Sequence, residues 1–239
     1  MKPVNTSKRL YSLDALRGFD MFWIIGAERI FHTYSEIKPT SFWVGLSNQF
    51  IHPTWHGFSF YDLIFPLFLF LAGVATPYSI GKQMEMGRDK MDLLIRIIKR
   101  GLILVLLGVV YNNGLELKPI DEIRFGSVLG RIGLAYMFAN IIYLFFNQKK
   151  QVFWFFGILI SYWLLFLFFS APGYLSGDLS MEGNIVSYLD RIIMPGKLYL
   201  GIHDPEGLFS TIPAISTALL GIYTGSLLIN TNPLKKKDS

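Results

Sequence analysis

The stretch that decides the fold is residues 63–75, LIFPLFLFLAGVA, which contains no charged side chain. It lacks the polar stripe that a helix on the surface of a water-soluble protein carries. Residues 101–110 and 152–169 are also free of charge. Because long uncharged apolar runs are typical of helices surrounded by lipid, the sequence predicts an integral membrane protein.

The composition of the whole chain agrees with this prediction. Of its 239 residues, 52% are hydrophobic and only 16% are charged, which is unusual for a soluble domain. The chain has no cysteine, which excludes a disulfide, a thiolate metal site and a cysteine nucleophile. The first apolar segment is interrupted by Asp20, Glu28 and Arg29, so we expect it to be retained rather than cleaved as a signal peptide.

Six segments are long and apolar enough to cross a bilayer, since a spanning helix needs about 20 mostly apolar residues. We therefore predict an all-α, polytopic transmembrane helix bundle of about six spanning helices, formed by residues 1–239 as a single domain. The predicted spans are residues 14–33, 59–81, 93–112, 128–146, 152–170 and 208–229.

The distribution of basic residues predicts the orientation. Most of the 22 lysines and arginines fall on one side if the N-terminus lies inside, and basic residues collect on the cytoplasmic side of membranes. We therefore expect a bacterial inner (cytoplasmic) membrane protein with both termini in the cytoplasm and its four histidines near the outer face. The inner leaflet explains the net charge of +5, so no nucleic-acid partner is expected.

The most informative polar block is residues 52–66, HPTWHGFSFYDLIFP. Proline suits the first turn of a helix, so Pro53 predicts a helix that begins just after His52. Trp55 and Asp62, seven residues apart, would then share one face, with His52 at the outer end. A carboxylate among apolar residues is costly, so we expect Asp62 to have a histidine partner or to bind a proton.

A histidine with a carboxylate partner has the chemistry that amine acetylation requires. The carboxylate accepts one ring N–H and fixes the tautomer, which leaves the other nitrogen as a base or nucleophile. His52 and Asp62 are therefore the candidate catalytic residues. The alternatives are that Trp55 and His56 anchor the chain at the membrane interface, or that His52 and His56 bind a metal for which no third ligand is evident nearby.

Ionisable residues in the first predicted span are a second feature. Asp14, Arg17 and Asp20 are spaced by three residues, so they form either an ion-pair lattice on one helix face or part of a polar pathway. Glu28 precedes His32 by four residues and is placed either to orient that ring or to form a simple structural pair.

Two later segments have both a structural and a functional interpretation. Arg131, flanked by glycines in VLGRIG, suits phosphate recognition, but snorkelling or pairing with a buried acid is an equal alternative. Asp204 and Glu206 precede the sixth predicted span. They act either as an N-terminal cap or as a binding site for an amine.

Four blocks resemble the heparan-α-glucosaminide N-acetyltransferase family. They are RLYSLDALRG at residues 9–18, the block at residues 52–66, DPEGL at residues 204–208 and, less specifically, VLGRIGLAY at residues 128–136. The resemblance implies an enzyme that moves an acetyl group from cytosolic acetyl-CoA to a glucosamine-type amino sugar on the outer side. His52 occupies the place of the active-site histidine and Asp62 that of its acidic partner, with either an acetyl-histidine intermediate or direct transfer.

The same resemblance guides the remaining site predictions. Acetyl-CoA is the expected acetyl donor and no metal is expected; the expected partners are the lipid bilayer, an amino-sugar or glycan acceptor and a possible second copy of the chain. The basic loop at residues 82–100 lies on the side of a cytosolic nucleotide. The predicted acceptor contacts are Trp55, His56, Glu28, Asp204 and Glu206, and the predicted CoA phosphate contacts are Arg131, Arg96 and Arg100.

Two departures from the family accompany these predictions. Family members continue for several more spans, so this chain looks like the N-terminal portion of a longer fold. Glu28 also stands where an asparagine is expected. A transporter for a small or lipid-linked solute, and a non-catalytic membrane subunit, are the alternative functions.

Overall fold

The computed structural model describes residues 11–116 and 118–230. Arg9 and Leu10 of the opening block, and the lysines at 235–237 that contribute to the predicted orientation, lie outside these residues. Within the described part the chain is helical, and its β-type pairing is limited to two isolated bridges. The chain divides into two compact units, one up to Leu71 and one from Ala72.

The first unit contains a helical segment that is broken near its middle. A π-helical turn, Trp23–Ala27, separates the first two helices, and Gly26 adopts φ 117° within it. This conformation is unfavourable for residues with a Cβ, so glycine permits the kink. The helices of this unit are α1 (Tyr11–Phe22), α2 (Glu28–Ile37), α3 (Ser41–Asn48) and the first part of α4 (Ile64–Thr76).

An aromatic cluster forms the core of the first unit. Trp23 stacks on Phe50 with ring centroids 4.8 Å apart, and Phe31 stacks on Phe50 at the same distance. Phe60 packs edge-on against Trp23 at 5.4 Å, and Ile64 is buried in the same cluster. These contacts hold the segment around Phe50 and Phe60 against the kinked α1–α2 helix, and thereby position the residues between them.

The second unit is a bundle of long helices with polar caps. The side chains of Asp89, Ser127, Asn147 and Asn184 each accept a backbone N–H in the first turn of the helix that follows, which satisfies donors that the helix leaves unpaired. After a second π-helical turn (Pro77–Gly81), the helices are α5 (Lys82–Glu85), α6 (Lys90–Asn113), α7 (Val128–Phe145), α8 (Gln148–Phe168), α9 (Ile185–Ile193) and α10 (Thr211–Asn230).

Small residues let these helices approach closely. A Cβ at Gly101 of α6 would lie 3.1 Å from the carbonyl oxygen of Gly133 in α7, and a Cβ at Gly73 of α4 would overlap the carbonyl of Ala218 in α10. Gly108, Gly221 and Gly225 also lie at close contacts between helices.

Four of the six predicted spans are confirmed as helices long and apolar enough to cross a membrane. These are Phe60–Glu85, Val128–Phe145, Gln148–Phe168 and Thr211–Asn230. The other two predicted spans are not among these long apolar helices, for separate reasons. The segment predicted at 14–33 is helical but is interrupted at Gly26, and the one predicted at 93–112 lies in α6, which carries Lys90, Arg96, Lys99 and Arg100 in its first half.

Candidate functional site

The block at residues 52–66 does not begin a helix after His52, so that prediction is wrong. Residues 53–58 form an irregular loop, and a short 3₁₀ turn, Phe60–Leu63, leads into α4. Gly57 adopts φ 148°, and a Cβ there would lie 2.8 Å from the ring of Pro53, because the loop folds back on itself at this point. The predicted shared helix face of Trp55 and Asp62 is therefore absent.

The start of the 3₁₀ turn holds Asp62 in place. Ser59 and Asp62 form a capping box, in which the Ser59 backbone N–H donates to Asp62 Oδ2 at 2.7 Å and its hydroxyl donates to the same oxygen at 3.1 Å. The backbone N–H of Tyr61 donates to the carbonyl of Gln49 at 3.0 Å and ties this turn to the end of α3. Asp62 thus presents its remaining oxygen in a fixed direction.

His52 meets that remaining oxygen. Its Nδ1 lies 2.5 Å from Asp62 Oδ1, the contact expected when the imidazole donates Nδ1–H to the carboxylate. This arrangement places the proton on Nδ1 and leaves the lone pair of Nε2 available. The His52 side chain is 62% exposed and that of Asp62 is 27% exposed, so a reactant can reach the ring. The predicted histidine partner of Asp62 is confirmed.

Further aromatic and histidine side chains lie on the same loop and the turn that follows it. The ring of Tyr61 lies 5.0 Å from that of His52. Trp55 is partly buried and packs edge-on against the exposed His56 with centroids 6.0 Å apart. No cluster of three or more metal-binding side chains occurs within the part of the chain that the structure describes.

The pairing of Glu28 with His32 is replaced by a different contact. His32 Nδ1 lies 2.7 Å from the hydroxyl of Ser47 in α3. One carboxylate oxygen of Glu28, Oε2, is buried without a hydrogen-bond partner among the described residues. Glu28 and His32 both lie in α2, so it is the tertiary contact with α3, rather than the spacing of four residues, that decides the partner of His32.

The predicted ion-pair lattice at the start of the chain is incomplete. Asp20 is fully buried, and neither of its carboxylate oxygens has a hydrogen-bond partner in the described chain. The indole N–H of Trp23, one helical turn further along, is also buried without a partner. A buried carboxylate without a partner in an apolar helix is unusual, and such residues often belong to polar pathways.

In the second unit, Arg124 organises the acidic segment at Asp204. Its guanidinium group donates to both Asp204 oxygens, at 2.8 and 2.7 Å, also contacts the carboxylate of Glu206, and stacks on the ring of Tyr199 at 4.5 Å. Asp204 also accepts the backbone N–H groups of Tyr199 and Glu206, each at 3.0 Å. Sequence reasoning missed Arg124, because nothing nearby in the sequence points 80 residues onward to Asp204.

The charge balance of this cluster follows from burial and pairing. Burial opposes ionisation of Asp204, but the hydrogen bonds and charge of Arg124 keep its pKa below the ordinary value. Burial raises the pKa of Glu206 in spite of Arg124. The capping interpretation of Asp204 is wrong, since α10 begins at Thr211 and the carboxylate bonds outside that helix. The interpretation of Asp204 and Glu206 as a binding site for an amine stays a prediction. An amine would have to replace Arg124 as the partner of these carboxylates.

The predicted phosphate contacts lie at different levels of the bundle. Arg131 donates to the carbonyls of Pro205 and Ser210, at 3.1 and 3.0 Å, near the start of α10. Arg100 lies over the ring of Tyr136 at 5.2 Å. Arg96 is close to the N-terminal end of α6 and donates to Gln83 at 3.3 Å. Because α6 and α7 are antiparallel, we estimate that Arg96 and Arg131 are separated by about 14 Å along the bundle.

Comparison with known proteins matches the resemblance in the sequence. Residues 9–118 match a family model, DUF5009, described as a domain of unknown function. The chain is 27% identical over 94% of its length to heparan-alpha-glucosaminide N-acetyltransferase of Mus musculus, and 27% identical over 92% of its length to the Homo sapiens protein. The chain is a distant homologue of these proteins, as predicted, and covers 40% and 39% of their lengths.

Proposed function

We propose that this chain forms the catalytic part of a transmembrane acetyltransferase, which transfers the acetyl group of cytosolic acetyl-CoA to an amino sugar of the glucosamine type outside the membrane. The observation that carries the proposal is the His52–Asp62 pair, with Nδ1 and Oδ1 2.5 Å apart. The distant homology to an N-acetyltransferase over nearly the whole chain supports the same reaction class.

The geometry of the pair supports a defined role for each atom. Asp62 holds the proton on Nδ1, so Nε2 accepts a proton from the acceptor amine. At the same time the amine nitrogen attacks the carbonyl carbon of the thioester. The C–S bond breaks, and the CoA thiolate takes up a proton and leaves as the free thiol. Alternatively, Nε2 attacks first and passes the acetyl group on to the amine. Proton transfer by a positioned base contributes about 10²- to 10⁴-fold in rate.

The proposed membrane arrangement includes all six predicted spans, with the broken α1–α2 segment and α6 crossing in addition to the four long apolar helices. The N-terminus would lie on the cytoplasmic side of a bacterial inner membrane. In this orientation His52 faces the outer side, where the acceptor is found, and the basic segment at residues 82–100, which forms α5 and the first half of α6, faces the cytosol. The excess of basic residues on the inner segments supports this topology.

Each of the two units contains residues that we propose as contacts for the acceptor. In the first unit, Trp55 and His56 share the loop of His52, and Oε2 of Glu28, which has no hydrogen-bond partner among the described residues, can accept a bond from a hydroxyl or an amine. In the second unit, Glu206 is the better candidate for an amine, because Asp204 is fully buried and accepts hydrogen bonds on both oxygens. Arg131 and Arg100 remain proposed contacts for the cofactor.

The test is an assay of CoA release. Purified protein in phosphatidylcholine nanodiscs would receive acetyl-CoA and glucosamine, and a thiol-reactive dye would report free CoA. The chain has no cysteine, so the dye reports only the product thiol. We expect release that His52→Ala abolishes and that Thr54→Ala, a change in the same loop, leaves intact. Absence of release with a panel of amines and amino sugars would contradict the proposal.

A second candidate function is solute transport, which the buried Asp20 favours. Asp20 lies inside a predicted span and has no hydrogen-bond partner among the described residues, and buried carboxylates of this kind often belong to a polar pathway through a membrane. Uptake of a labelled amino sugar into vesicles without chemical change, lost in Asp20→Asn and retained in His52→Ala, would support transport over transfer.

A further inference from the structure

Two arginine side chains converge on one neutral oxygen at the N-terminal end of α6. The Nη1 atoms of Arg88 and Arg96 donate to Oε1 of Gln83, at 2.7 and 3.3 Å respectively. The Gln83 amide is oriented by its own donor, since Nε2 donates to the carbonyl of Ser79 at 3.1 Å. The amide oxygen therefore faces both guanidinium groups.

The backbone between the two arginines fixes this convergence. The N–H of Arg88 donates to the carbonyl of Gln83 at 3.1 Å, and Gly87 adopts φ 76°, which closes the turn between α5 and α6. Arg96 lies about two turns into α6, and its side chain donates to the same amide oxygen of Gln83. The arrangement is thus built by a local turn and a rigid helix.

No ion pair balances the charges at this site within the part of the chain that the structure describes. Neither Arg88 nor Arg96 forms an ion pair with an acidic side chain among the residues that the structure describes. The nearby Asp89 is occupied as the N-cap of α6, where it accepts the N–H of Met91 at 2.9 Å. Two cations that share one uncharged acceptor repel each other, and an anion placed between them would remove that cost.

The ligand class follows from the shape of the donors. Guanidinium groups present parallel N–H donors that match the oxygens of phosphate, and two of them can each bind a different oxygen of one phosphate group. A lysine-rich surface without such convergence would attract anions without positioning them. Arg100, which lies over Tyr136, is not part of the convergent pair.

We propose that Arg88 and Arg96 form a phosphate-binding fork in which the phosphate displaces the amide oxygen of Gln83. The fork itself follows from the contacts described above, whereas the suggestion that CoA supplies the phosphate rests on the proposed function. The headgroup of an anionic lipid presents the same chemistry, so the two sources are separated by experiment.

The decisive variant is Gln83→Glu, which places a carboxylate of nearly the same shape between the two arginines. It is expected to fold at least as stably as the wild type, because it pairs both cations, and to exclude phosphate. Lys149→Gln is the matched control, since it also lowers the net charge by one but lies at the start of α8. Arg88→Gln is a second test variant, because it removes one of the two guanidinium groups of the fork.

Binding is measured by the thermal midpoint of tryptophan fluorescence in nanodiscs. One arm adds CoA, or phosphate-free pantethine, to protein in phosphatidylcholine. The other arm compares phosphatidylglycerol with phosphatidylcholine in the absence of nucleotide. We expect Gln83→Glu and Arg88→Gln to weaken CoA binding about 10- to 100-fold, the range for loss of one charge-assisted contact, and to leave pantethine binding unchanged.

The outcomes separate the alternatives. A CoA effect that is lost in Gln83→Glu and kept in Lys149→Gln supports the fork with a nucleotide phosphate, and an effect seen only with phosphatidylglycerol supports the fork with a lipid phosphate. If neither probe distinguishes Gln83→Glu from Lys149→Gln, the fork is refuted. Binding through the fork without CoA release in the transfer assay would refute the proposed function alone. Transfer unaffected by Gln83→Glu would refute CoA as the source of the phosphate and leave the proposed function standing.

Discussion

Replacement of Asp62 by asparagine tests the proposed catalytic pair with the least structural change. Asparagine retains an oxygen that can accept the two Ser59 bonds of the capping box, now 2.7 and 3.1 Å long. The group that faces His52 then becomes an amide NH₂, which donates to Nδ1. The imidazole proton moves to Nε2, and the nitrogen that would act as base or nucleophile is blocked.

The structure separates the expected effects on stability and on rate. His52 is 62% exposed and Asp62 is 27% exposed, so water screens their interaction and its contribution to folding should be at most about 1 kcal/mol. A wrong tautomer removes the general base, which contributes about 10²- to 10⁴-fold to the rate. Asp62→Asn should therefore fold almost normally and transfer acetyl groups at least about 100-fold more slowly.

The assay combines CoA release with the thermal midpoint of each variant. Ser59→Ala is the matched control, because it removes the hydroxyl of the capping box without changing the His52–Asp62 contact, and it should cost about 1 kcal/mol in stability with little loss of rate. Equal losses of rate in Ser59→Ala and Asp62→Asn would show that Asp62 acts through capping. An unchanged rate in Asp62→Asn would refute the tautomer argument.

Three further predictions concern the second unit. Arg124→Ala should lower the free energy of unfolding by about 3–5 kcal/mol, because Asp204 would be left buried without its cation; adding Asp204→Asn should restore part of the loss, and an unchanged thermal midpoint in the single variant would contradict this. Gly73→Ala should destabilise by about 1–3 kcal/mol through overpacking against α10, whereas Gly157→Ala, with no atom within 4 Å of its Cβ, should have little effect in the same thermal measurement. Burial lowers the pKa of His203 below its ordinary value of 6.5, so as the pH falls below that value the unfolded chain binds more protons than the folded chain. The thermal midpoint should therefore drop between pH 7.5 and about 5.5, and it should drop less in His203→Gln. An equal drop in both proteins would show that His203 is not the group responsible.

Much of the fold follows from local sequence. Mostly apolar segments of about 20 residues predict spanning helices because lipid offers no partner for backbone polar groups, and four of the six predicted spans have that form in the structure. The kink in the first predicted span was missed. Gly26 adopts its positive φ in the turn whose residues Trp23 and Ala27 pack into the aromatic core, and that core involves Phe50 and Phe60, which are distant in sequence.

The candidate site was predictable to a similar extent. Residue type and the family resemblance predict His52 and Asp62 as the catalytic residues, and the structure pairs them, but the predicted helical path between them is wrong. The pattern of serine three residues before Asp62, directly ahead of an apolar run, is the local signal that could have located the true start of the turn. Gln83 and Arg88 carried no such signal in the sequence. They form the proposed phosphate site only because the side chain of Arg96 also donates to Gln83.

The sequence by itself determined that the chain contains helices able to cross a membrane, the approximate bounds of four of them, and which residues are candidates for the chemistry, because these depend on hydrophobicity and side-chain type over neighbouring positions. Only the tertiary structure decided which partners meet. The loop that returns His52 to Asp62, the reach of Arg124 to Asp204 and the convergence of Arg88 and Arg96 on Gln83 each depend on contacts between segments whose separation in space no local pattern encodes.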